Sequence, residues 1–287
     1  MINTDEEKTM ITILKEKIWR PLYWKFQIFI RRRPAINYWY RTFLIFATNG
    51  KCIISWDLKL DTTKQYDSLF KESAENFKNV VGPFTNEFTW RLPGRVANGY
   101  FDCLDAEVYY AFIRKYQPNL IIEIGSGNST RFANLAVTKN GKGRIICIDP
   151  QPRTSLPKGV QYIQKKVEEV DLSVFQQLNQ SDILFIDSSH YSDEALYHVQ
   201  KILPKLKGGV ILQHHDFIYP YIFNCEEEKV VMDFYAAQSK DFKIIFGNSW
   251  IRHYQYDLAK KLIPKFEWYF KDHPGRTAGS LWAMKVN

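Results

Sequence analysis

The sequence predicts an α/β protein with a Rossmann-like open, mostly parallel sheet of about seven strands and helices on both faces. Three observations support this fold class. Short apolar runs alternate with helix-patterned segments from Asp105 to the C-terminus. The runs are almost continuously apolar, which is typical of parallel strands buried on both faces. Glycine, proline and polar clusters separate them. We therefore expect a domain at 96–287, preceded by a basic, aromatic-rich and mainly helical extension at 1–95.

The first half of the domain alternates helix and strand. The helix "DAEVYYAFIRKY" has apolar residues at helical spacing, and Asp105 is predicted to be its N-cap. Glycine or proline ends several of the following elements. In chain order these are the strand "NLIIEIG", the helix "NSTRFANLAVTKNG", the strands "GRIICIDP" and "GVQYIQKKV", the short helix "DLSVFQQLNQ" and the strand "SDILFIDSSH".

The second half continues the alternation and closes the sheet. A helix with a late proline, Pro204, precedes a fifth strand, and a further helix precedes two closing strands. Their sequences are "SDEALYHVQKILPKLKGG", "GVILQHHD", "VVMDFYAAQSK", "FKIIFGNSW" and "GSLWAMKV".

The extension combines basic and aromatic residues in "KIWRPLYWKFQIFIRRRPAINYWYRTFLIF". Pro21 and Pro34 interrupt it, which favours short helices, and the pattern from Ser68 to Val81 is also helical. One interpretation is an arm packed on the domain or on a second subunit of a homo-oligomer. The other is an interfacial helix on the anionic inner face of a membrane, which its three consecutive arginines would suit.

Composition narrows the function classes. The chain of 287 residues carries a net charge of +8, which suits acidic partners without choosing among them. The four cysteines lack CxxC spacing, so we expect reduced thiols and a cytoplasmic protein. The acidic start "MINTDEEKTM" does not fit a secretory signal, and no apolar run reaches the roughly 18 to 20 residues of a membrane span.

The stretch "EIGSGNST" places a glycine turn between a strand and a helix, where open α/β sheets bind ligands. A dinucleotide-binding turn would carry a third glycine at position 130, where this chain has Thr130. Glu123 ends the first strand and Asp149 ends the second; a carboxylate at the latter position can accept both ribose hydroxyls. The acidic pair favours a nucleoside with a cationic part, such as S-adenosylmethionine.

In order and spacing, "EIGSGNST", "CIDP", "DILFIDSSH" and "GGVILQHHD" resemble the class I S-adenosylmethionine-dependent methyltransferases, and within them the branch of sugar and macrolide O-methyltransferases. The resemblance covers the chain from about Phe101 onward. It implies that the methionine part of the cofactor meets the turn, that Asp149 holds the ribose and that Val167 lies near the adenine. The implied cofactor-binding residues are Glu123, Gly125, Ser126, Gly127, Ser129, Asp149, Val167 and Asp187.

Polar residues at the ends of the fourth and fifth strands are the candidates for catalysis. Asp187 and His190 follow one strand, and His214, His215 and Asp216 follow the other. A sugar hydroxyl is a very weak acid, so its methylation needs a base or a metal. In one interpretation Asp187, His215 and Asp216 hold Mg²⁺ or another divalent cation. In the other, His190 or His215 is the general base beside Asp187.

The prediction is thus an O-methyltransferase acting on a sugar, a polysaccharide or a glycosylated small molecule. One alternative is an NAD-dependent oxidoreductase, against which the absent third glycine counts. Another is an RNA- or nucleic-acid-modifying methyltransferase, which the positive net charge would suit because nucleic acid is anionic. We do not expect nucleic acid as a partner, because "DSSH" stands where a base-holding tetrad would follow the fourth strand.

Overall fold

A computed structural model describes residues 59–88 and 101–286, apart from 153, 188, 224–225 and 273–277. The predictions for the basic, aromatic arm lie outside the described residues. The segment predicted to be helical from Ser68 forms a 3-10 turn, Asp67–Phe70, and then helix α1, Ser73–Val81. Within the described ranges, no helix combines the length and apolar character that crossing a membrane requires.

A seven-stranded sheet confirms the predicted fold class, in the order β3-β2-β1-β4-β5-β7-β6. β7 pairs antiparallel with β5 and β6, and the pairings among β1 to β5 are parallel. The strands are β1 (Leu120–Ile124), β2 (Arg144–Ile148), β3 (Gln161–Ile163), β4 (Ile183–Ile186), β5 (Ile211–His215), β6 (Phe242–Gly247) and β7 (Ser280–Lys285).

Helices cover both faces of this sheet. One apolar layer is built around Phe112, Phe246 and Trp282, and the other around Leu184 and Tyr235. After α1, the helices are α2 (Asp105–Tyr116), α3 (Asn128–Asn140), α4 (Ser173–Gln176), α5 (Ser192–Tyr197), α6 (Glu226–Ala237), α7 (Asn248–Tyr254), α8 (Tyr256–Leu262) and α9 (Phe266–Asp272).

The order of the strands fixes where a ligand can bind. β1 lies between β2 and β4. After β1 the chain adds β2 and β3 on one side of β1, and then returns to add β4 and β5 on its other side. Such a switch in strand order opens a crevice beyond the carboxyl ends of the strands. The residues that follow β1, β2, β4 and β5 therefore meet at one edge.

Several boundaries differ from the predictions. The third strand is confined to Gln161–Ile163. The long helix before β5 changes after α5 into a π-helical turn, His198–Ile202, and a 3-10 turn, Leu203–Lys205, because Pro204 cannot continue an α-helix. Among the described residues between β6 and β7, three helices, α7 to α9, are present where the sequence pattern had assigned none.

The predicted N-cap role of Asp105 is wrong. Leu104 precedes the helix, and Asp105 is its first residue and is buried. The Asp105 carboxylate accepts hydrogen bonds from Asn248 Nδ2 at 2.7 Å and from the backbone N–H of Gly279 at 2.9 Å. These tertiary partners take the oxygens that local capping would have used.

Candidate functional site

The glycine turn after β1 lies against the end of β4. Gly125 has φ +84°, and a Cβ atom there would come within 1.8 Å of the Asp187 carbonyl oxygen. Gly127 has φ +149° and precedes α3 directly. The backbone N–H of Asp187 donates to the carbonyl of Ile124 at 2.8 Å. Glycine at 125 is therefore required both by conformation and by close approach of two strand ends.

Glu123 lies behind this turn and is fully buried. Its Oε1 accepts from the Tyr109 hydroxyl at 2.9 Å, and its Oε2 accepts from the Thr130 hydroxyl and, at 3.5 Å, from the Cys147 thiol. Burial raises the pKa of the Glu123 carboxyl to about 7, although the hydrogen bonds from Thr130 and Tyr109 act against that rise. The predicted cofactor residue is thus held by the protein from three sides.

Asp149, at the end of β2, reaches across to the same turn. Its Oδ2 accepts from both the backbone N–H and the hydroxyl of Ser126, each at 2.9 Å, and its Oδ1 accepts from the Gln151 N–H at 2.7 Å. The carboxylate is only partly buried. The structure thus brings Asp149 and the glycine turn together, as the cofactor prediction requires.

The remaining two predicted cofactor residues, Ser129 and Val167, lie in segments that follow β1 and β3 in the chain. Ser129 is buried in the first turn of α3. Val167 is buried at the start of a 3-10 turn, Val167–Glu169, beyond β3. Their contact with a cofactor stays a prediction.

A second cluster forms where β4 and β5 end. The Nε2 atom of His190 lies 3.6 Å from Asp187 Oδ1 and 3.3 Å from Asp216 Oδ2. Its Nδ1 lies 2.8 Å from Oε2 of Glu227, a buried residue in the first turn of α6. Sequence reasoning missed Glu227, because its acidic stretch lies 37 residues after His190 and reads as the charged start of a helix.

Two residues of this cluster have unusual backbone conformations. His190 has φ +63° and Asp216 has φ +61°, the left-handed region that L-residues with side chains rarely adopt. Such conformations cost of order 1–3 kcal/mol each and occur preferentially at functional sites. The local chain is thus held in a shape that directs both side chains toward Asp187.

His215 lies deeper, beneath the same carboxylates. Its Nδ1 is 3.5 Å from Asp187 Oδ1 and 3.4 Å from Asp216 Oδ1, and its Nε2 is 3.9 Å from Asp105 Oδ2. The ring packs 5.2 Å, between centroids, from the ring of Phe101. His215 is thus enclosed between acidic groups and an aromatic ring.

His214, which the sequence grouped with this cluster, lies elsewhere, and that prediction is wrong. Successive side chains of a strand point to opposite faces, so His214 turns away from His215. Its Nε2 lies 2.7 Å from the Tyr235 hydroxyl in the other apolar layer. Burial lowers its pKa to about 3. His198 is buried in the π-helical turn.

The charge of the second cluster follows from its geometry. Burial alone would lower the pKa of both imidazoles. The hydrogen bond to Glu227 and the charges of Asp216 and Asp187 outweigh burial and raise the pKa of His190 to about 9. Asp216, Asp187 and Asp105 raise the pKa of His215 to about 10 in the same way. At neutral pH both rings are therefore imidazolium cations among carboxylates.

The second cluster also contains a donor set for a divalent cation. One ligand atom from each of Asp187, His190 and Asp216 lies within 4.8 Å of the other two. The two carboxylates suit Mg²⁺ or Mn²⁺ in chemical type, and the imidazole adds a nitrogen ligand that suits Zn²⁺. His190 stands in this set where the sequence had suggested His215.

Comparison with known proteins matches this edge of the sheet to one family. The family model described as "Methyltransferase domain" matches residues 122–217, which carry the turn, Asp149, Asp187, His190 and Asp216. An uncharacterized protein of Archaeoglobus fulgidus is 42% identical over 95 residues, which are 30% of this chain and 42% of that protein. The chain thus matches less than half the length of this relative.

Solved structures add similar chains at low identity. The O-methyltransferase TomG from Streptomyces achromogenes, in complex with SAM, is 13% identical with a TM-score of 0.42; the match covers 81% of this chain and 93% of that one. The O-methyltransferase from Bacillus cereus, in complex with SAH, is 10% identical with a TM-score of 0.38, covering 74% and 90%. The plantazolicin methyltransferase BpumL with SAH is 12% identical with a TM-score of 0.37, covering 77% and 94%.

Proposed function

We propose that this protein transfers a methyl group from S-adenosylmethionine to a hydroxyl oxygen, because residues 122–217 match the family model described as "Methyltransferase domain" and lie in a Rossmann-like sheet. The acceptor we propose is a sugar, a polysaccharide or a glycosylated small molecule. One observation carries the proposal. A glycine turn held by Glu123 and Asp149 abuts, through the Gly125–Asp187 contact, a cluster of carboxylates and imidazoles.

In this reaction the methyl group passes directly from the cofactor to the acceptor, without forming a bond to the protein. The acceptor oxygen attacks the sulfonium methyl carbon, the carbon–sulfur bond breaks, and S-adenosylhomocysteine leaves with a neutral sulfur. The hydroxyl proton must pass to a base. The protein supplies alignment of the oxygen, the methyl carbon and the sulfur, and a group that takes the proton.

The proposed cofactor contacts follow the turn. Asp149 is placed to accept from the ribose hydroxyls, and the segment 125–129 to meet the methionine part. Val167 would border the adenine. The acidic pair of Glu123 and Asp149 favours a cationic sulfonium over an anionic ligand.

The proton acceptor depends on pH. His190 and His215 are protonated at neutral pH because neighbouring carboxylates raise their pKa values to about 9 and 10. A protonated ring cannot take a proton, so near neutrality the role falls to Asp187, which lies within 3.6 Å of both rings. His190 takes over as its own pKa is approached. A rate that climbs toward pH 9 would indicate a histidine base, His190 or His215, and a rate level from pH 7 to 9 would indicate Asp187.

A divalent cation is the second mechanism that we propose to test. Asp187, His190 and Asp216 would hold it, and when bound it would lower the pKa of a coordinated sugar hydroxyl. Methyl transfer measured after treatment with EDTA, and after return of Mg²⁺ or Mn²⁺, separates the two mechanisms. Unchanged activity in EDTA would exclude the cation.

The function itself is tested by ligand binding and by methyl transfer. We expect calorimetry to show binding of S-adenosylmethionine and S-adenosylhomocysteine but not NAD, and labelled methyl from S-adenosylmethionine to appear on a sugar or glycan acceptor. Binding of NAD without the sulfur nucleosides would instead support the oxidoreductase alternative. Label on RNA alone would support the nucleic-acid alternative.

Asp149→Asn offers a matched test of the ribose contact. We expect it to weaken S-adenosylhomocysteine binding at least tenfold. The control is Asp171→Asn. Asp171 is exposed and makes the same local hydrogen bond, from the N–H two residues on, at 2.8 Å. Equal loss of affinity in both variants would show that the effect is not specific to the proposed ribose contact.

We also propose that the protein is cytoplasmic and that its basic, aromatic arm contacts an anionic membrane surface or a second copy of the chain. The support is the sequence of the arm and the net charge of +8. Flotation of the full chain with anionic and with neutral vesicles, and light scattering without vesicles, test the two contacts. A monomer that floats with neither vesicle would contradict both.

A further inference from the structure

The three backbone N–H groups of the glycine turn all have acceptors within the protein. Gly125 N–H donates to the Ile148 carbonyl at 2.9 Å, and Ser126 N–H donates to Asp149 Oδ2 at 2.9 Å. Gly127 N–H donates to the Thr130 hydroxyl oxygen at 3.0 Å. In a dinucleotide-binding turn, N–H groups at the start of the helix face the pyrophosphate. In this protein the N–H groups of residues 125–127 already donate to acceptors of the protein itself.

Thr130 connects this arrangement to the buried acid. Its hydroxyl accepts from Gly127 N–H and donates its own hydrogen to Glu123 Oε2, and its side chain is fully buried. A glycine at 130 could make neither hydrogen bond. The residue that departs from the dinucleotide pattern therefore holds the turn in place.

We propose that Thr130 is a specificity-determining positioning residue, which, with Glu123 and Asp149, makes this turn accept a sulfonium nucleoside and reject a pyrophosphate. The inference rests on the proposed function, since it concerns the same cofactor site. The Asp149 carboxylate accepts from Ser126 N–H, and Glu123 accepts from the Thr130 hydroxyl that holds Gly127 N–H, so an anion would meet acidic groups where a dinucleotide-binding turn offers open donors. A cationic ligand meets the opposite field.

The mechanism requires both hydrogen bonds of the hydroxyl. Thr130→Val keeps the shape of the side chain but leaves Gly127 N–H and Glu123 Oε2 without this partner. Thr130→Ser keeps the hydroxyl. We expect Thr130→Val to weaken S-adenosylhomocysteine binding at least tenfold, and Thr130→Ser to stay within threefold of the parent.

Thr85→Val is the matched control. The Thr85 hydroxyl also bonds to backbone, the Gly82 carbonyl at 3.1 Å, but in the 3-10 turn Gly82–Glu87. It removes a threonine hydrogen bond without touching the cofactor turn. We expect parental affinity from Thr85→Val at temperatures where both variants are folded, as judged by circular dichroism.

A readout without ligand separates this inference from the proposed function. Hydrogen exchange measured by NMR should show a Gly127 N–H that is protected in the parent and in Thr130→Ser, and that exchanges at least tenfold faster in Thr130→Val. Unchanged exchange, or parental S-adenosylhomocysteine affinity in Thr130→Val, would overturn the role of Thr130. A parent chain that shows the protected amide but binds no S-adenosylhomocysteine would instead contradict the proposed cofactor and leave the hydrogen bonds of Thr130 in place.

Discussion

The imidazole of His190 and the carboxylate of Glu227 are joined by a contact of 2.8 Å between Nδ1 and Oε2. His190 lies in the loop after β4, and Glu227 in the first turn of α6. The contact fixes the ring so that Nε2 faces Asp187 and Asp216. The same orientation serves a base and a cation ligand, because both use Nε2.

Glu227→Gln should lower the pKa of His190 from about 9, since Glu227 supplies both a hydrogen bond and a negative charge to the imidazolium. We expect a fall of at least about one pKa unit, which is about 1.4 kcal/mol. NMR titration of the His190 ring protons measures it. Glu226→Gln, an exposed neighbour on the same helix, is the control. An equal His190 pKa in both variants would mean that Glu227 does not set the charge of the ring.

Gly125→Ala should destabilise the fold severely. Its φ of +84° disfavours a side chain, and the new Cβ would lie 1.8 Å from the Asp187 carbonyl oxygen. We expect a loss of at least about 3 kcal/mol in the free energy of unfolding. Gly159→Ala separates the two causes, because Gly159 has φ +87° but no neighbouring group of the described residues lies within 4 Å of the Cβ that alanine would add. For Gly159→Ala, urea unfolding should show a loss of about 1 kcal/mol in the free energy of unfolding.

His198 should make stability fall in acid. Burial lowers its pKa from 6.5 to about 4, so between those values the unfolded chain binds a proton that the folded chain does not. Stability is therefore lost as pH falls from 6.5 toward 4. At pH 5 the loss is on the order of 2 kcal/mol relative to pH 7.5.

His198→Leu should remove the part of the loss that His198 causes, because leucine suits a buried site and does not titrate; buried His214, with its pKa lowered to about 3, still contributes a loss of the same sign. Urea unfolding at pH 5.0 and 7.5 measures the difference. Gln200→Leu, exposed in the same π-helical turn, should keep the parental dependence on pH. If the change in unfolding free energy between the two pH values is the same in His198→Leu as in the parent, His198 does not contribute to the loss in acid.

Glu123 should make cofactor preference depend on pH. Burial raises its pKa to about 7, so this group stabilises the fold below about pH 4.5, and that contribution is lost as pH rises through 7. The same deprotonation places a negative charge behind the turn. We expect the preference for S-adenosylmethionine over S-adenosylhomocysteine, which lacks the sulfonium charge, to grow from pH 6 to 8.

Glu123→Gln should make that preference level across the same range, as measured by calorimetry at several pH values. Glu169→Gln provides the control, since Glu169 is exposed and bonds to the nearby Lys166 N–H. A preference in the parent that does not change with pH would show that the charge of Glu123 does not reach the sulfur.

The sequence by itself determined the alternation of strands and helices, because hydrophobic periodicity and glycine or proline boundaries are local signals. It also identified the strand ends that carry acids, since Glu123, Asp149 and Asp187 each terminate an apolar run. The resemblance of its motifs to class I methyltransferases is confirmed by the family match over residues 122–217.

Only the tertiary structure decided which polar groups meet. Glu227 contacts His190 although 37 residues separate them in the chain. Asp105 does not cap its helix and instead accepts hydrogen bonds from Asn248 and Gly279. Strand geometry sends His214 and His215 to opposite faces, although they are adjacent in the chain. The physical reason is that a hydrogen bond depends on the distance between two atoms in the folded chain, which a pattern along one segment does not contain.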